Sequence, residues 1–88
     1  MQEEDQAVTI LRGLTLQMAQ AVVNRRPDRV RVEAAEGAST IVLELSVDPE
    51  DMGRVIGKEG QVANAMRTLL HTSAAKEGKR VNLEIINA

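Results

Sequence analysis

Two glycines, Gly57 and Gly60, enclose Lys58 and Glu59 in the stretch RVIGKEGQV at residues 54–62. Because glycine has no Cβ atom, a phosphate group can approach the main chain closely at such a turn. The N–H groups at the start of a following helix favour an anion, and the Lys58 ammonium adds a positive charge. The Glu59 carboxylate opposes this chemistry because it repels phosphate. The same spacing also fits an ordinary tight turn at a helix end, so the residues alone leave both interpretations open.

A short helix is predicted directly before this turn. Asp48 suits its N-cap and Pro49 its first helical position. Glu50 and Asp51 follow in the first turn, where acidic side chains favour the helix dipole. We expect this helix to end at Gly57. The turn is therefore positioned by a helix with clear signals at both of its ends.

The rest of the chain is predicted to form two longer helices and three strands. Apolar residues recur at helical spacing over residues 5–24 and again over residues 61–76, and Gly78 closes the second of these helices. Alternating apolar and polar residues predict half-buried strands at 28–34, 40–47 and 80–86. The element order is α-β-β-α-α-β, an α+β protein. We expect one domain over residues 1–88, with the N-terminal helix at about 5–24 and a βααβ core at about 40–87.

Composition excludes several kinds of site. The 88 residues include no Phe, Tyr, Trp or Cys and a single His. Without aromatic side chains the chain cannot stack bases as an RRM or most OB-folds do, and its core must be aliphatic. Without cysteine or a second histidine it lacks the usual zinc ligands and a thiol nucleophile. His71 has no catalytic partner, and no triad or P-loop is present, so we expect no enzyme activity, no metal and no cofactor.

The charge of the chain restricts the kinds of partner and the cellular location that we expect. The net charge is −2 and the pI is about 5.4, so any polyanion must be held locally rather than by bulk positive potential. Basic residues cluster in RRPDRVR at 25–31 and in KEGKR at 76–80, although such clusters are commonly solvated element ends. The acidic EED at residues 3–5 differs from the basic start of a signal peptide, and no apolar run reaches membrane-spanning length. We expect a cytoplasmic protein without membrane contact.

The run VIGKEGQVANAM at residues 55–66 resembles the V-I-G-x-x-G-x-x-I-x-x-I signature of the KH (K-homology) domain, an RNA-binding domain whose GxxG loop clamps four nucleotides. The element order is similar to the type II arrangement, which implies a three-stranded sheet with helices on one face. Residues 43–85 and the total length resemble the small bacterial single-KH RNA-binding proteins of the KhpA (YlqC) type. The sequence departs from the general signature at Ala63, where a branched aliphatic residue is usual, and Met66 occupies the next apolar position.

The resemblance implies a role for individual residues. The four residues of the loop would contact the RNA backbone, and three aliphatic residues would form or support one side of a narrow groove. The strand at 81–85 would form the other wall, and Asn82 would read base edges there. Three cations would contact phosphates, whereas Arg67 is not expected to reach the RNA. The residues so assigned are Gly57, Lys58, Glu59 and Gly60 in the loop, Val55, Ile56 and Val62 in the groove, Asn82 on the strand, and Arg54, Lys79 and Arg80 as cations.

The implied function is non-catalytic binding of single-stranded RNA, as a post-transcriptional regulator or RNA chaperone. One such loop covers few nucleotides, so the resemblance also implies a homodimer or a heterodimer with a larger KH-containing RNA-binding protein. An alternative is a KH-shaped protein-interaction module with a weak or vestigial RNA groove. The acidic pI, Glu59 and Ala63 favour that alternative.

Overall fold

Six regular elements follow one another in the computed structural model, which describes residues 5–88. Two turns of 3₁₀ helix, at Pro27–Arg29 and Lys58–Gly60, lie between them. The elements occur in the predicted order α-β-β-α-α-β, which confirms the α+β class. They are α1 (Gln6–Val22), β1 (Arg31–Glu36), β2 (Thr40–Val47), α2 (Pro49–Ile56), α3 (Gln61–Lys76) and β3 (Arg80–Asn87). Within the described residues, no helix is long and apolar enough to cross a membrane.

The three strands form one sheet in the order β1-β2-β3. The β1 strand runs antiparallel to β2, whereas β3 runs parallel to it, with Thr40 opposite Arg80 and Val47 opposite Asn87. Every second side chain of β2 from Ile41 onward is fully buried under the helices. This alternation confirms the expected arrangement of a three-stranded sheet with helices on one face.

The hydrophobic core is aliphatic, as the composition requires. Leu11 of α1, Leu70 of α3 and Val55 of α2 are fully buried against the inward face of the sheet. Ala63 and Met66, the two positions that depart from the general KH signature, are also buried. Both residues therefore serve the packing of α3 and do not line a surface groove.

The outward face of the sheet carries a row of acidic side chains. Glu33 of β1 lies directly opposite Glu44 of β2, and Glu44 lies directly opposite Glu84 of β3. All three side chains are exposed. Directly opposed residues on neighbouring strands have Cβ atoms about 4.5–5.5 Å apart, so three like charges are concentrated here. The three carboxylates disfavour a polyanion at the centre of this face, whose margins carry Arg31 and Arg80.

Asp51 fastens α2 to the segment that follows α1. Its carboxylate is fully buried. One oxygen, Oδ1, accepts hydrogen bonds from the backbone N–H groups of Asn24 (3.0 Å) and Arg25 (2.9 Å), and Oδ2 accepts one from Arg26 N–H (2.7 Å). Burial by itself raises the pKa of Asp51, but the three N–H donors and nearby Arg54 outweigh it, and the net pKa lies below the ordinary value. The carboxylate thus fixes the start of the helix that leads to the glycine turn.

Candidate nucleic-acid interface

The turn between α2 and α3 is tight and has an unusual backbone. Three of its four residues have positive φ angles, namely Gly57 (φ 78°), Glu59 (φ 56°) and Gly60 (φ 76°). The Gly60 N–H donates to the Gly57 carbonyl oxygen at 3.2 Å, which closes the turn. Lys58 and Glu59 are exposed at its tip. The left-handed conformation of Glu59 is disfavoured for a residue with a side chain and is the kind of local strain that functional loops carry.

Gly57 cannot carry a side chain in this turn. A Cβ atom there would lie 2.5 Å from Val62 Cγ2 and 2.8 Å from the Val62 backbone nitrogen. Its backbone, at φ 78° and ψ 174°, also occupies a region that only glycine adopts readily. At Gly60 a Cβ atom would meet only Asn64 Nδ2, at an ordinary 3.7 Å.

We therefore predict that Gly57→Ala is much more destabilising than Gly60→Ala. We expect Gly57→Ala to cost about 2–4 kcal/mol, because backbone strain adds to a steric clash. Gly60→Ala should cost about 1 kcal/mol from its left-handed backbone alone. Chemical denaturation of both variants measures the difference. Equal losses would show that Val62 moves aside at no cost.

Among residues 5–88, two backbone N–H groups at the tip of the turn lack a protein acceptor, whereas those of Gly57 and Gly60 are bonded within the chain. No side chain caps the start of α3, whose N-cap is Gly60. In the part of the chain that the structure describes, the N–H groups of Lys58 and Glu59 donate to no protein acceptor. The Lys58 ammonium has no ion-pair partner among the same residues. Free amides, a helix N-terminus and a mobile cation together make a place where an anion can lie against the main chain.

A polar stripe runs along α3 from the turn towards the start of β3. Asn64, Arg67 and His71 follow Gly60 at spacings of four, three and four residues, which places them on one side of the helix. The stripe spans about 16 Å at 1.5 Å per residue. It ends at a pocket of about 270 Å³ lined by His71 and the first residues of β3, including Arg80, Val81 and Asn82.

Comparison with known proteins decides the family. A family model described as "KhpA/KhpB, KH domain" matches residues 12–85. The chain belongs to the KhpA/KhpB KH-domain family. The resemblance drawn from the residues around the GxxG loop is thereby confirmed.

Bacterial members of the KhpA/KhpB family are similar over most of their length. A protein named RNA-binding protein KhpA from Clostridium acetobutylicum is 55% identical over 60 residues, which cover 68% of this chain and 80% of that protein. Its namesake from Caldanaerobacter subterraneus is 52% identical over 69 residues, covering 78% of this chain and 91% of the relative. The RNA-binding protein KhpA from Halalkalibacterium halodurans is 42% identical over 77 residues, which cover 88% of this chain and 100% of that protein.

Solved structures support the KH fold independently of sequence. A structure of Era in complex with MgGDPNP and nucleotides 1506–1542 of 16S ribosomal RNA superposes with a TM-score of 0.64 and 20% identity. The match covers 96% of this chain and 32% of Era, so the chain spans about one third of that protein. A second Era structure, from Aquifex aeolicus and bound to GDP.AlF4-, gives a TM-score of 0.67 at 19% identity over 99% of this chain and 33% of Era.

In this KhpA/KhpB KH domain, the aliphatic residues predicted for the groove occupy different depths. Ile56 is 39% exposed and Val62 is partly buried, so both present apolar surface beside the loop. Val55 is fully buried in the core. It can only support the groove from below and cannot touch a ligand.

The predicted phosphate-binding cations are not equally available. Arg54 Nε donates to the Val22 carbonyl oxygen at 3.0 Å, so this side chain also caps the end of α1. Lys79 Nζ lies 3.6 Å from a carboxylate oxygen of Glu36 and 4.0 Å from one of Asp5. Among the described residues, Lys58 and Arg80 have no such partner. The latter two are therefore the stronger candidates for phosphate contact.

Arg67 of the KhpA/KhpB KH domain makes a contact that the sequence did not predict. Its Nη2 donates to the Leu83 carbonyl oxygen at 3.3 Å, so the side chain crosses from α3 to β3. It lies between the loop and the pocket, on the same stripe as Asn64 and His71. The four-three-four spacing from Gly60 was visible in the sequence, but the neighbouring strand edge was not.

Proposed function

We propose that this chain is a non-catalytic RNA-binding protein that holds short single-stranded RNA across its GxxG loop and the groove between α3 and β3. The observation that carries the proposal is the open turn, in which uncapped backbone N–H groups lie beside the unpaired Lys58 ammonium. Membership of a family whose bacterial relatives are named RNA-binding proteins supports it.

The distribution of charge supports binding on this side of the molecule. Lys58 and Arg67 lie on the loop and the α3 stripe. The outward face of the sheet carries the row of Glu33, Glu44 and Glu84, with Arg80 at its margin, at the start of β3. A chain with net charge −2 can thus attract a phosphate backbone locally and orient it towards the groove. Apolar surface at Ile56 and Val62 offers contact to base faces without aromatic stacking.

The role we propose is that of a cytoplasmic post-transcriptional regulator or RNA chaperone. A single loop and a groove of about 16 Å contact few nucleotides, so affinity at one site is modest. A second copy of the chain, or a larger KH-containing RNA-binding protein, would supply a further site. Two linked weak sites bind far more tightly than either alone without any new contact.

The salt dependence of binding tests the proposal. With two to four phosphates contacted by cations, log K should fall against log salt with a slope of about −1.4 to −2.8, at about 0.7 per phosphate of single-stranded RNA. Fluorescence anisotropy of a labelled single-stranded RNA of about twelve nucleotides, repeated over a series of KCl concentrations, measures this slope. Absence of binding at low salt would overturn the proposed function.

A second candidate is a protein-interaction module of KH shape whose RNA groove is vestigial. Two observations favour it: Glu59 is exposed at the tip of the loop, and Lys79 is compensated by carboxylates. This function predicts a protein partner that survives nuclease treatment in a pull-down and an absence of RNA crosslinks in cells. RNA crosslinks that map to the loop would reject it.

A further inference from the structure

Arg67 contacts the edge of β3 with only one of its hydrogen-bond donors. The guanidinium has five N–H donors in a fixed plane. One of them donates to the Leu83 carbonyl oxygen, and the side chain has no other hydrogen bond or ion pair with the described residues. Arg67 is partly buried, so its position is restrained by packing as well as by this bond. A planar set of free donors is therefore held in place beside the strand.

The edge of β3 next to Arg67 also has backbone groups that can form hydrogen bonds with a ligand. Within the described sheet, β3 pairs only with β2, which leaves its other edge unpaired. The Leu83 carbonyl points away from β2, because it accepts from Arg67. Main-chain groups two residues apart in a strand point the same way, so those of Val81 face the same side. Val81 lines the pocket at the end of the stripe.

The pocket at the end of the stripe is small and has both apolar and polar groups in its lining. Its volume of about 270 Å³ lies just below the range of about 300–1,000 Å³ that is usual for small-molecule sites. It combines the apolar Val81 with the polar groups of His71, Arg80 and Asn82. Arg67 lies one helical turn before His71, next to the pocket in the direction of the loop, and is not part of the pocket lining.

We propose, on the basis of the RNA-binding function proposed above, that Arg67 selects the nucleobase bound at this point of the groove. A guanidinium fork donates two parallel hydrogen bonds, so it favours a base with two adjacent acceptors. Guanine presents O6 and N7 in this way, and cytosine presents O2 and N3. Adenine and uracil place a donor between or beside their acceptors and leave one Arg67 donor unpaired. Arg67 thus makes the groove prefer guanine or cytosine.

Base-substituted RNA tests this selection with the unmodified protein. Labelled uridine octamers with one central adenosine, guanosine or cytidine are titrated by fluorescence anisotropy. We expect the guanosine or the cytidine octamer to bind about tenfold tighter than the adenosine and all-uridine octamers. Replacing the preferred base by 7-deazaguanosine or 3-deazacytidine, each of which lacks one acceptor, should remove that gain. The two analogues also distinguish recognition of guanine from recognition of cytosine.

An Arg67→Lys variant tests the residue itself. Lysine keeps the charge but lacks the planar fork, so the base preference should shrink to about twofold or less. The all-uridine octamer, which offers no pair of adjacent acceptors, gives the reference affinity from which the preference is calculated for each variant. The matched control Arg31→Lys, on the outward face of the sheet, should retain the preference.

The outcomes separate this inference from the function on which it rests. If the unmodified protein binds none of the octamers, the RNA-binding function fails. If it binds them all equally, prefers adenosine or uridine, or keeps its preference in Arg67→Lys, the RNA-binding function stands and the selection by Arg67 is wrong.

Discussion

Replacing Lys58 and Glu59 together by aspartate is expected to abolish RNA binding while the protein stays folded. The Lys58 change removes the unpaired cation from the loop and places a carboxylate beside the open backbone N–H groups. A charge-assisted hydrogen bond contributes about 1.5–3 kcal/mol, and repulsion from the new carboxylate adds to its loss. We expect affinity for single-stranded RNA to fall by about 30-fold or more, measured by fluorescence anisotropy at low salt.

The fold should tolerate this double change. Both side chains are exposed, and neither makes a hydrogen bond or ion pair with the described residues. Residue 59 has φ 56° and ψ 27°, a left-handed conformation that aspartate adopts more readily than glutamate does. The melting temperature measured by circular dichroism should therefore change little.

A control variant separates a local contact from a change in net charge. Arg31→Glu alters the net charge by the same amount as the double variant, but on the exposed outward face of the sheet. We expect its affinity for RNA to stay within about threefold of the wild type. A folded double variant that retains full affinity would reject the loop as the contact. The protein-interaction module would then be the better explanation of this fold.

The elements around the loop were predictable because their signals are local. Asp48 caps α2 through a hydrogen bond to the Glu50 N–H (2.9 Å), Pro49 begins the helix, and Gly57 ends it with positive φ. Each of these signals acts within a few residues, so the sequence pattern contains it. Periodicity likewise predicted α1 and α3, because burial of one helix face repeats every three to four residues.

The contacts that the sequence did not predict join residues far apart in the chain. Arg67 reaches a carbonyl 16 residues away, and only the packing of α3 on β3 brings the two together. Arg54 was expected to contact phosphate, yet its Nε donates to a carbonyl 32 residues away. Long side chains donate to whichever acceptor the tertiary structure places within reach. No sequence pattern within a helix specifies that acceptor. Composition and spacing could therefore locate the loop but not the partners of its neighbours.

Asp51 shows the same limit and leads to the second large expected effect. The sequence suggested only a favourable first-turn charge, whereas the buried carboxylate accepts three backbone hydrogen bonds from residues 25–27 positions away. Its pKa is lowered in the folded state, below about 3.9 for an unperturbed aspartate. The ionised group therefore stabilises the fold above that pH, and this stability is lost as pH falls through the folded-state pKa.

The variant Asp51→Asn should lower the melting temperature at pH 7 by on the order of 10 °C, because an amide cannot accept all three bonds and buries an unpaired NH₂ group. It should also reduce the loss of stability as pH falls below about 3.9, the ordinary aspartate pKa, because the buried carboxylate whose pKa is lowered is gone. Thermal melts across this pH range measure both effects.

Glu50→Gln removes an equal charge from the same helical turn at an exposed position, and we expect it to leave the melting temperature nearly unchanged. If both variants lost equal stability, the stabilising effect of Asp51 would come from the helix dipole rather than from its three buried hydrogen bonds. Loss confined to Asp51→Asn would establish that a carboxylate in α2 holds the end of α1 and, through that junction, the helix that presents the GxxG loop.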